Sequence, residues 1–220
     1  MKAELLSNPS LYHYLRQIMT GGMPFRRWVD LYGLTDPAQR IADIGSGPSD
    51  ILRYLDARSK PEFYLGIDIS EPYLRTGEAR ARRLGLDAGF VRMDLDALPS
   101  DADVKAELAA TLEAHKITRV LLLGVLHHIG DESARAILDL TRGVSTIDSV
   151  MTSDVVYLPQ RRLNNLLCDW DRGAFVRDEP AYDALVQTSG WATVEKTFTW
   201  PGLSFIRYIH YSFSKPARHD

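Results

Sequence analysis

Short apolar runs alternate with segments of helical spacing along most of the chain. Seven runs of five to ten residues have the length and composition of strands: 40–44, 63–67, 89–93, 119–124, 149–158, 192–198 and 204–213. Three segments between them have the spacing and the capping residues of helices: 49–59, 70–85 and 131–143. Alternating strands and helices, with strands that are apolar almost throughout, predict a parallel sheet covered by helices on both faces.

The last two predicted strands are an exception to this alternation. Only residues 199–203 separate them, too few for a crossover helix, so we expect an antiparallel hairpin. Two helices are predicted before the first strand, at about 9–20 and 24–34, and a helical region precedes the hairpin at about 159–190. The whole chain, 1–220, is predicted to be one domain in four consecutive parts: an N-terminal helical cap at 1–37, an α/β core at 38–158, a helical lid at 159–190 and a C-terminal hairpin at 191–214.

Composition and charge exclude several classes of protein. With 220 residues, 45% of them hydrophobic, the chain can bury a core without a disulfide or a structural metal. Its one cysteine, Cys168, cannot form an internal disulfide, and no Cys/His pattern has zinc-binding spacing, so we predict no metal site and a reducing, cytoplasmic location. No apolar stretch is long enough to cross a bilayer, and the N-terminus lacks the pattern of a signal peptide. A net charge of −3 gives no basic surface for nucleic acid, so we expect neither a membrane nor a nucleic acid as partner.

A glycine turn follows the first predicted strand in the segment RIADIGSGPSDIL. Gly45 and Gly47 allow the backbone to turn sharply and to approach a ligand closely, because neither has a Cβ atom. The helix predicted after the turn presents free N–H groups and the positive end of its dipole at the same place. The turn therefore indicates a ligand site, although a turn that only packs a helix against a strand has the same pattern.

Two carboxylates make this turn a poor site for a diphosphate. Asp50 stands where the dinucleotide-binding pattern GxGxxG has its third glycine, and Asp43 comes just before the turn. Both carboxylates would repel a diphosphate and would suit a ligand with a cationic amino-acid end. S-adenosylmethionine, which carries an ammonium, a carboxylate and a sulfonium, is such a ligand.

Acidic residues also follow the second and the third predicted strands. Asp68 ends the second strand, 21 residues after Gly47, where a carboxylate can accept hydrogen bonds from ribose hydroxyls. Asp94 follows the third strand at the same edge, where it can accept from an adenine amino group. Asp96 either caps the next helix or takes the adenine role in place of Asp94. The ordered set is more informative than any one of these residues.

In this order, the segments ADIGSGPSDIL, LGIDIS, VRMDLDALP and LLLGVLHHIGD resemble the class I S-adenosylmethionine-dependent methyltransferases over about residues 38–155. The resemblance implies S-adenosyl-L-methionine as cofactor and assigns its binding to nine residues: Asp43, Gly45, Ser46 and Gly47 at the methionine end, Asp68 at the ribose, Ile69, Asp94 and Leu95 at the adenine, and Gly124 beside the methyl group. It also implies a Rossmann-like, seven-stranded, mostly parallel sheet in the order 3-2-1-4-5-7-6, with strand seven antiparallel. The chain departs from the family at the third small residue of the turn and at Ala42, and neither change removes a group that faces the ligand.

Methyl transfer requires an acceptor held in line with the methyl group and, for a weak nucleophile, a base. His127 and His128 follow the fourth strand at the edge where open α/β sheets bind ligands. Either is a candidate general base, or both only pack there and line the cofactor site. Asp154, at the end of the fifth strand, either orients a polar acceptor or pairs with Arg161 or Arg162.

His210 completes the four catalytic candidates. It lies on the last predicted strand, where alternation places it on the same face as Tyr208, so it either lines the pocket or is an ordinary strand histidine. In the lid, Arg172 and Arg177 either bind an anionic acceptor or form salt bridges with three nearby aspartates: Asp169, Asp171 and Asp178.

These features predict an enzyme that transfers a methyl group from S-adenosylmethionine to an oxygen or a nitrogen of a small-molecule acceptor. The tetrapeptide N/D-P-P-[FYW], typical of enzymes that methylate amino groups in DNA and RNA, is replaced by GVLHHI after the fourth strand. Two alternatives remain. One is a protein of the same descent that binds the cofactor without transferring a methyl group, and the other, with less support, is a NAD-dependent oxidoreductase.

Overall fold

The computed structural model describes residues 29, 32–56, 59–170, 173–199 and 206–215. The helices predicted at about 9–20 and 24–34 fall almost entirely outside these residues, apart from helical Val29 and a turn at 32–35. Asp171 and Arg172 of the predicted lid also lie outside them. Within the described part of the chain, no helix is both long and apolar enough to cross a membrane.

The strands of the described residues form a mixed sheet. They are β1 (Arg40–Ile44), β2 (Phe63–Asp68), β3 (Ala88–Arg92), β4 (Arg119–Leu123), β5 (Ser149–Tyr157), β6 (Arg177–Asp178), β7 (Ala192–Thr199) and β8 (Tyr208–Ser214). Their order is β3-β2-β1-β4-β5-β8-β7, with the two-residue β6 beside the end of β5. β1 to β5 are parallel, and β8 is antiparallel to both β5 and β7. This confirms the predicted Rossmann-like sheet and its terminal hairpin, and adds the short β6 within the predicted lid.

Five α-helices accompany the sheet among the described residues. They are α1 (Glu71–Leu84), α2 (Ala102–Ala114), α3 (Asp131–Gly143), α4 (Arg162–Trp170) and α5 (Glu179–Gln187). α1 and α3 agree with two predicted helices, and α1 has Ser70 as its N-cap and Gly85 as its C-cap, as expected. α4 and α5 lie in the region predicted to be a helical lid.

The segment after β1 is less helical than predicted. Instead of a helix over 49–59, the chain forms a short 3-10 helix, Asp50–Tyr54. Ser49 before it has a left-handed backbone, with φ of 52°, and the residue after it is extended. Asp56 and Ser59 then form an isolated antiparallel bridge, so the chain turns back before a second helical turn can form.

The helix after β3 has a different N-cap from the one considered above. The Asp101 carboxylate accepts hydrogen bonds from the amides of Asp103 and Val104 at the start of α2. Asp96 instead lies in a short 3-10 helix, Leu95–Ala97, so its assignment as the cap of the next helix is wrong. Asp101 caps α2 because it stands immediately before the first helical residue, where a side-chain oxygen reaches the free amides.

The core lies in two layers, one on each face of the sheet. Leu108, Ile137 and Leu185 from α2, α3 and α5 pack in one layer, and Leu52 and Ala81 from the 3-10 helix and α1 pack in the other. Because both faces are covered, the central strands are apolar at nearly every position. The carboxyl ends of the parallel strands meet at one edge of the sheet, and the candidate site residues follow these ends.

Candidate active site

The turn after β1 has the geometry of a ligand-binding loop. Gly45 and Gly47 have left-handed backbone conformations, with φ of 73° and 53°. The amides of Gly45 and Ser46 donate to the carbonyl oxygen of Ile67 at 2.7 and 2.9 Å, which ties the turn to the end of β2. A Cβ atom on Gly45 would lie 2.6 Å from Val125 Cγ2, whereas one on Gly47 would meet no heavy atom within 4 Å. Gly45 therefore allows close packing, and Gly47 leaves open space beside the turn.

Alanine substitutions should separate these two roles. Gly45→Ala is expected to lower the free energy of unfolding by about 2–4 kcal/mol, because the strain of a positive φ adds to the clash with Val125. Gly47→Ala should cost about 1 kcal/mol from backbone strain alone, but its methyl group would occupy the open space and weaken the binding of S-adenosylhomocysteine. Urea unfolding and calorimetric titration measure the two effects. Equal losses of stability with unchanged binding in both variants would contradict this assignment.

Asp68 is fixed at the end of β2 by backbone amides on both sides. One carboxylate oxygen accepts the amide of Gly47 and the other accepts the amide of Ser70, both at 2.8 Å. Burial raises the pKa of Asp68 above its usual value, although both hydrogen bonds act in the opposite direction. Each oxygen has a further lone pair, so the carboxylate can also accept hydroxyl groups of a ribose beside the turn.

Ile69 and Asp94 lie at neighbouring strand ends on the same edge. Ile69 is 54% exposed. Asp94 is exposed as well, and its carboxylate accepts the amide of Asp96 at 3.1 Å, while Leu95 next to it is buried. An exposed apolar side chain near an exposed carboxylate suits an adenine, which has two apolar faces and an amino group on its edge.

The two carboxylates at the glycine turn have different surroundings. Asp50 forms ion pairs at 2.9 Å with both Arg53 and Arg80, so its charge is compensated within the protein. Asp43 is buried at the end of β1 and accepts a hydrogen bond from the Tyr64 hydroxyl at 2.6 Å. The sequence suggests that both carboxylates would repel a diphosphate. Because the charge of Asp50 is compensated, this repulsion depends mainly on Asp43.

Three of the four catalytic candidates come together beyond β4 and on β5, where Asp154 lies three residues before the end of the strand and not at its end as predicted. His127 Nδ1 lies 2.8 Å from Asp154 Oδ1, and the His127 amide donates to the same oxygen at 3.2 Å. The His128 ring is adjacent, with the two ring centroids 4.1 Å apart. Asp154 is buried, so the Nδ1 side of the His127 ring is closed to solvent. The structure thus pairs Asp154 with His127 and not with Arg161 or Arg162.

The His127 ring is enclosed between two glycines. Its Cε1 atom faces Gly124, where a Cβ would be 3.5 Å away, and its Cδ2 atom faces Gly173, where a Cβ would be only 2.5 Å away. Nε2 lies between these two ring atoms, so it points between Gly124 at the end of β4 and Gly173. The amide of Phe175 donates to the His127 carbonyl oxygen at 3.0 Å, and only 3% of His127 is exposed. The lid backbone therefore covers this histidine.

Arg177 connects the lid to the turn that carries the histidines. Its buried guanidinium binds Asp131 Oδ1 through Nε at 2.9 Å and through Nη2 at 2.6 Å. The same group donates to three backbone carbonyl oxygens, those of Leu126, Ile129 and Phe175. Arg177 thus forms the salt bridge expected of a lid arginine, but with Asp131 at the start of α3 rather than with Asp169 or Asp178.

His210 lies on the opposite face of the sheet from the His127 pair. In the register of β5 and β8, Ser153 is opposite His210 and Asp154 is opposite Ile209, so the side chains of Asp154 and His210 point to different faces. The Tyr32 hydroxyl lies 3.1 Å from His210 Nδ1. Burial lowers the pKa of His210 to about 4, so its ring is neutral near pH 7.

The buried His210 should make the protein less stable in mild acid. Its pKa is about 4 in the folded protein, below the ordinary value of 6.5. Between these pH values the unfolded chain binds one more proton than the folded protein, so a falling pH favours unfolding. We expect this group to lower the free energy of unfolding by about 1.4 kcal/mol per pH unit below pH 6.5. Urea unfolding at two pH values in this range should therefore give a steeper pH dependence for the wild type than for His210→Gln. Equal pH dependence in the two proteins would contradict a buried neutral ring.

Sequence reasoning missed three residues at this edge: Tyr64, Asp131 and Gly173. The contacts of Tyr64 with Asp43 and of Asp131 with Arg177 join positions 21 and 46 residues apart, and no local motif marks them. Gly173 matters only through its contact with the His127 ring. No group of histidine, cysteine, aspartate and glutamate side chains within the described ranges could hold a metal ion.

Comparison with known protein families agrees with this geometry. Residues 41–145 match the model of the methyltransferase domain family, a range that contains the glycine turn, Asp68 and both histidines after β4. The sheet order and the matched family model together indicate a class I S-adenosylmethionine-dependent methyltransferase. The matched residues are its methyltransferase domain, and S-adenosyl-L-methionine is the cofactor of this class. No curated protein sequence gives a significant match.

Three solved structures illustrate the fold. The magnesium protoporphyrin IX methyltransferase of Synechocystis PCC 6803, with bound S-adenosylhomocysteine, has a TM-score of 0.60 and 16% identity, covering 91% of this chain and 80% of its own. The geranyl diphosphate C-methyltransferase of Streptomyces coelicolor A3(2) has a TM-score of 0.60 and 12% identity, covering 93% and 82%. The [4+2]-cyclase SpnF has a TM-score of 0.60 and 15% identity, covering 87% and 80%. At these identities the likeness establishes the fold and not the acceptor.

Proposed function

We propose that this methyltransferase acts on an oxygen or a nitrogen atom of a small-molecule acceptor. The observation that carries the proposal is the pairing of His127 with Asp154 at the sheet edge that also carries the glycine turn and Asp68. A histidine held at Nδ1 by a carboxylate is suited to accept a proton at Nε2. A hydroxyl acceptor loses a proton as it is methylated, and a primary or secondary amine loses one afterwards, so such a group can take the proton from either.

The cofactor part of the proposal is supported by the geometry at the ends of β1, β2 and β3. Gly47 leaves space that a side chain would fill, and Asp68 has lone pairs that its two backbone amides do not use. Nine residues are proposed to hold the cofactor: Asp43, Gly45, Ser46, Gly47, Asp68, Ile69, Asp94, Leu95 and Gly124. The cofactor supplies a methyl group already activated on a sulfonium, so the protein has to align the acceptor and, for a weak nucleophile, remove its proton.

His127 is the proposed general base, and Asp154 is its positioning partner. The carboxylate accepts the Nδ1 proton, which makes Nε2 the basic nitrogen of the ring and directs it between Gly124 and Gly173. After His127 takes a proton, the same carboxylate stabilises the imidazolium. His128, partly exposed beside it, is the second candidate, and His210 is a candidate only for an acceptor that reaches the other face of the sheet.

A small molecule, and neither a nucleic acid nor a membrane, is the proposed partner. The net charge of −3 gives no excess of basic residues for a phosphate backbone. The proposed location is the cytoplasm, in keeping with the single cysteine, and the proposed architecture is one domain over 1–220.

Two experiments in sequence test the proposal. Calorimetric titration of the purified protein with S-adenosylhomocysteine, with NAD as the control ligand, should show binding of the first only. Incubation with S-adenosylmethionine and a panel of phenols, alcohols, amines and carboxylic acids should then produce S-adenosylhomocysteine with at least one class. Binding of NAD alone, or turnover confined to an added nucleic acid, would overturn the proposal.

A second candidate function is cofactor binding without methyl transfer. One observation favours it: the lid backbone covers the His127 ring, so the proposed base is enclosed in this conformation. A protein with the same fold, SpnF, is a [4+2]-cyclase. Tight binding of S-adenosylhomocysteine with no turnover across the acceptor panel would support this second function.

A further inference from the structure

We propose that Tyr64 is a positioning residue for the amino-acid end of the cofactor, acting through the carboxylate of Asp43. The inference rests on the proposed function, since it takes Asp43 to face the methionine end. Tyr64 lies on β2, four residues before Asp68, and the sequence gives it no role of its own. Its contacts in the fold give it one.

Tyr64 and Asp43 form a buried, charge-assisted hydrogen bond. The Tyr64 hydroxyl lies 2.6 Å from Asp43 Oδ2, and the two residues are 0% and 3% exposed. An ionised acceptor makes such a bond short and strong. Burial and the charge of Asp43 raise the pKa of Tyr64 well above its usual value, so the hydroxyl keeps its proton and remains a donor.

The register of the strands places this pair directly below the glycine turn. Asp43 comes two residues before Gly45 in the chain. In the sheet it is opposite Gly66 in β2 and Leu121 in β4. A Cβ atom on Gly66 would lie 3.2 Å from Ser46 Oγ. The same Cβ would lie 2.7 Å from the Phe90 ring, so the space beside Asp43 on the β2 side is filled by Phe90 and by the turn.

The groups around the pair are fixed by other contacts. Arg80, whose charge lowers the pKa of Tyr64, forms an ion pair with Asp50 at 2.9 Å. The Tyr64 ring packs beside the Phe90 ring, with centroids 6.0 Å apart. Because the ring is held in this way, its hydroxyl sets the direction of one carboxylate oxygen of Asp43.

An ammonium beside the turn gains most from a carboxylate that is both ionised and fixed. Without the hydroxyl, the buried Asp43 carboxylate would lose a hydrogen bond that favours its charged form. The adenosine part of the cofactor is proposed to be held by Asp68 and Asp94, at the ends of other strands. Tyr64 should therefore affect the amino-acid end of the cofactor and leave the adenosine end unchanged.

Tyr64→Phe tests this inference, because it removes the hydroxyl and keeps the ring. Calorimetric titration uses two ligands: S-adenosylhomocysteine, and 5′-methylthioadenosine, which has the same adenosine and thioether but no amino-acid end. We expect the dissociation constant of the first to rise about tenfold and that of the second to change less than about twofold. Tyr182→Phe is the matched control, since it removes another buried tyrosine hydroxyl, which donates to the Val155 carbonyl at 3.0 Å, and it should change neither.

A double-mutant cycle then shows whether Tyr64 acts through Asp43. Asp43→Asn alone should produce the same selective loss, and adding Tyr64→Phe to it should produce no further loss. An equal loss for both ligands, no loss for either, or an additive double variant would overturn the inference. If the wild type binds neither ligand, the proposed function itself fails. This outcome is distinct from failure of the inference about Tyr64, in which the wild type binds both ligands. If Tyr64→Phe does not fold, the selectivity of Asp43→Asn decides the test.

Discussion

Replacing Asp68 by alanine is expected to raise the dissociation constant of S-adenosylhomocysteine by about 100- to 1000-fold. A hydrogen bond to a charged acceptor contributes about 1.5–3 kcal/mol, and the proposal gives this carboxylate two ribose hydroxyls. The two hydrogen bonds together contribute at least about 3 kcal/mol to the binding free energy. Each 1.4 kcal/mol corresponds to a factor of ten in affinity. The same carboxylate accepts the amides of Gly47 and Ser70, so its removal also releases the glycine turn.

Calorimetric titration measures this effect, and Asp68→Asn is the matched control. Asparagine keeps the size of the side chain and one acceptor oxygen, so we expect a smaller loss of about tenfold. Circular dichroism should show that both variants are folded. An unchanged dissociation constant in folded Asp68→Ala would contradict the assignment of the ribose to the end of β2.

Replacing His127 by glutamine is expected to lower kcat by about 10²- to 10⁴-fold with the acceptor that the panel identifies, because this is the usual contribution of a general base. Glutamine has a similar volume but cannot take a proton at neutral pH. The dissociation constant of S-adenosylhomocysteine should stay unchanged, since none of the proposed cofactor ligands is altered. Initial rates at saturating S-adenosylmethionine, together with calorimetry, measure both quantities.

Two further variants distinguish the two histidines. Asp154→Asn should lower kcat less than His127→Gln does, because it leaves Nε2 in place but removes the charge that stabilises the imidazolium. His128→Gln should change kcat little if His127 is the base. A large loss in His128→Gln with a near-normal rate in His127→Gln would show that His128 is the base, and would overturn the proposal for His127.

The sheet and the cofactor edge can be predicted from the sequence because both depend on local patterns. β1 has the predicted bounds, 40–44, since five apolar or strand-compatible residues end at a glycine turn that no helix or strand could continue. The place of Asp68 at the end of β2 is found in the same way, and the role proposed for it follows from that place. The positive φ of Gly45 and Gly47 is likewise the conformation that glycine is expected to supply.

The parts that could not be predicted depend on contacts between distant segments. The partner of Arg177 is Asp131, 46 residues away, although aspartates stand closer in sequence. The apolar spacing of the segment after the glycine turn is that of a helix, yet the return of the chain limits it to a short 3-10 helix, Asp50–Tyr54. In both cases, tertiary packing decides between options that are locally equivalent.

The guanidinium of Arg177 binds the Phe175 carbonyl just before β6, the turn that carries the histidines and the first residue of α3 at the same time. These segments are separate in sequence but can only be exchanged between proteins as one unit. A chimera that imports residues 173–178 would need Arg177 and Asp131 from the same parent, because the buried guanidinium would otherwise lose two of its hydrogen bonds. Changing the acceptor by lid exchange therefore means exchanging the histidine turn as well.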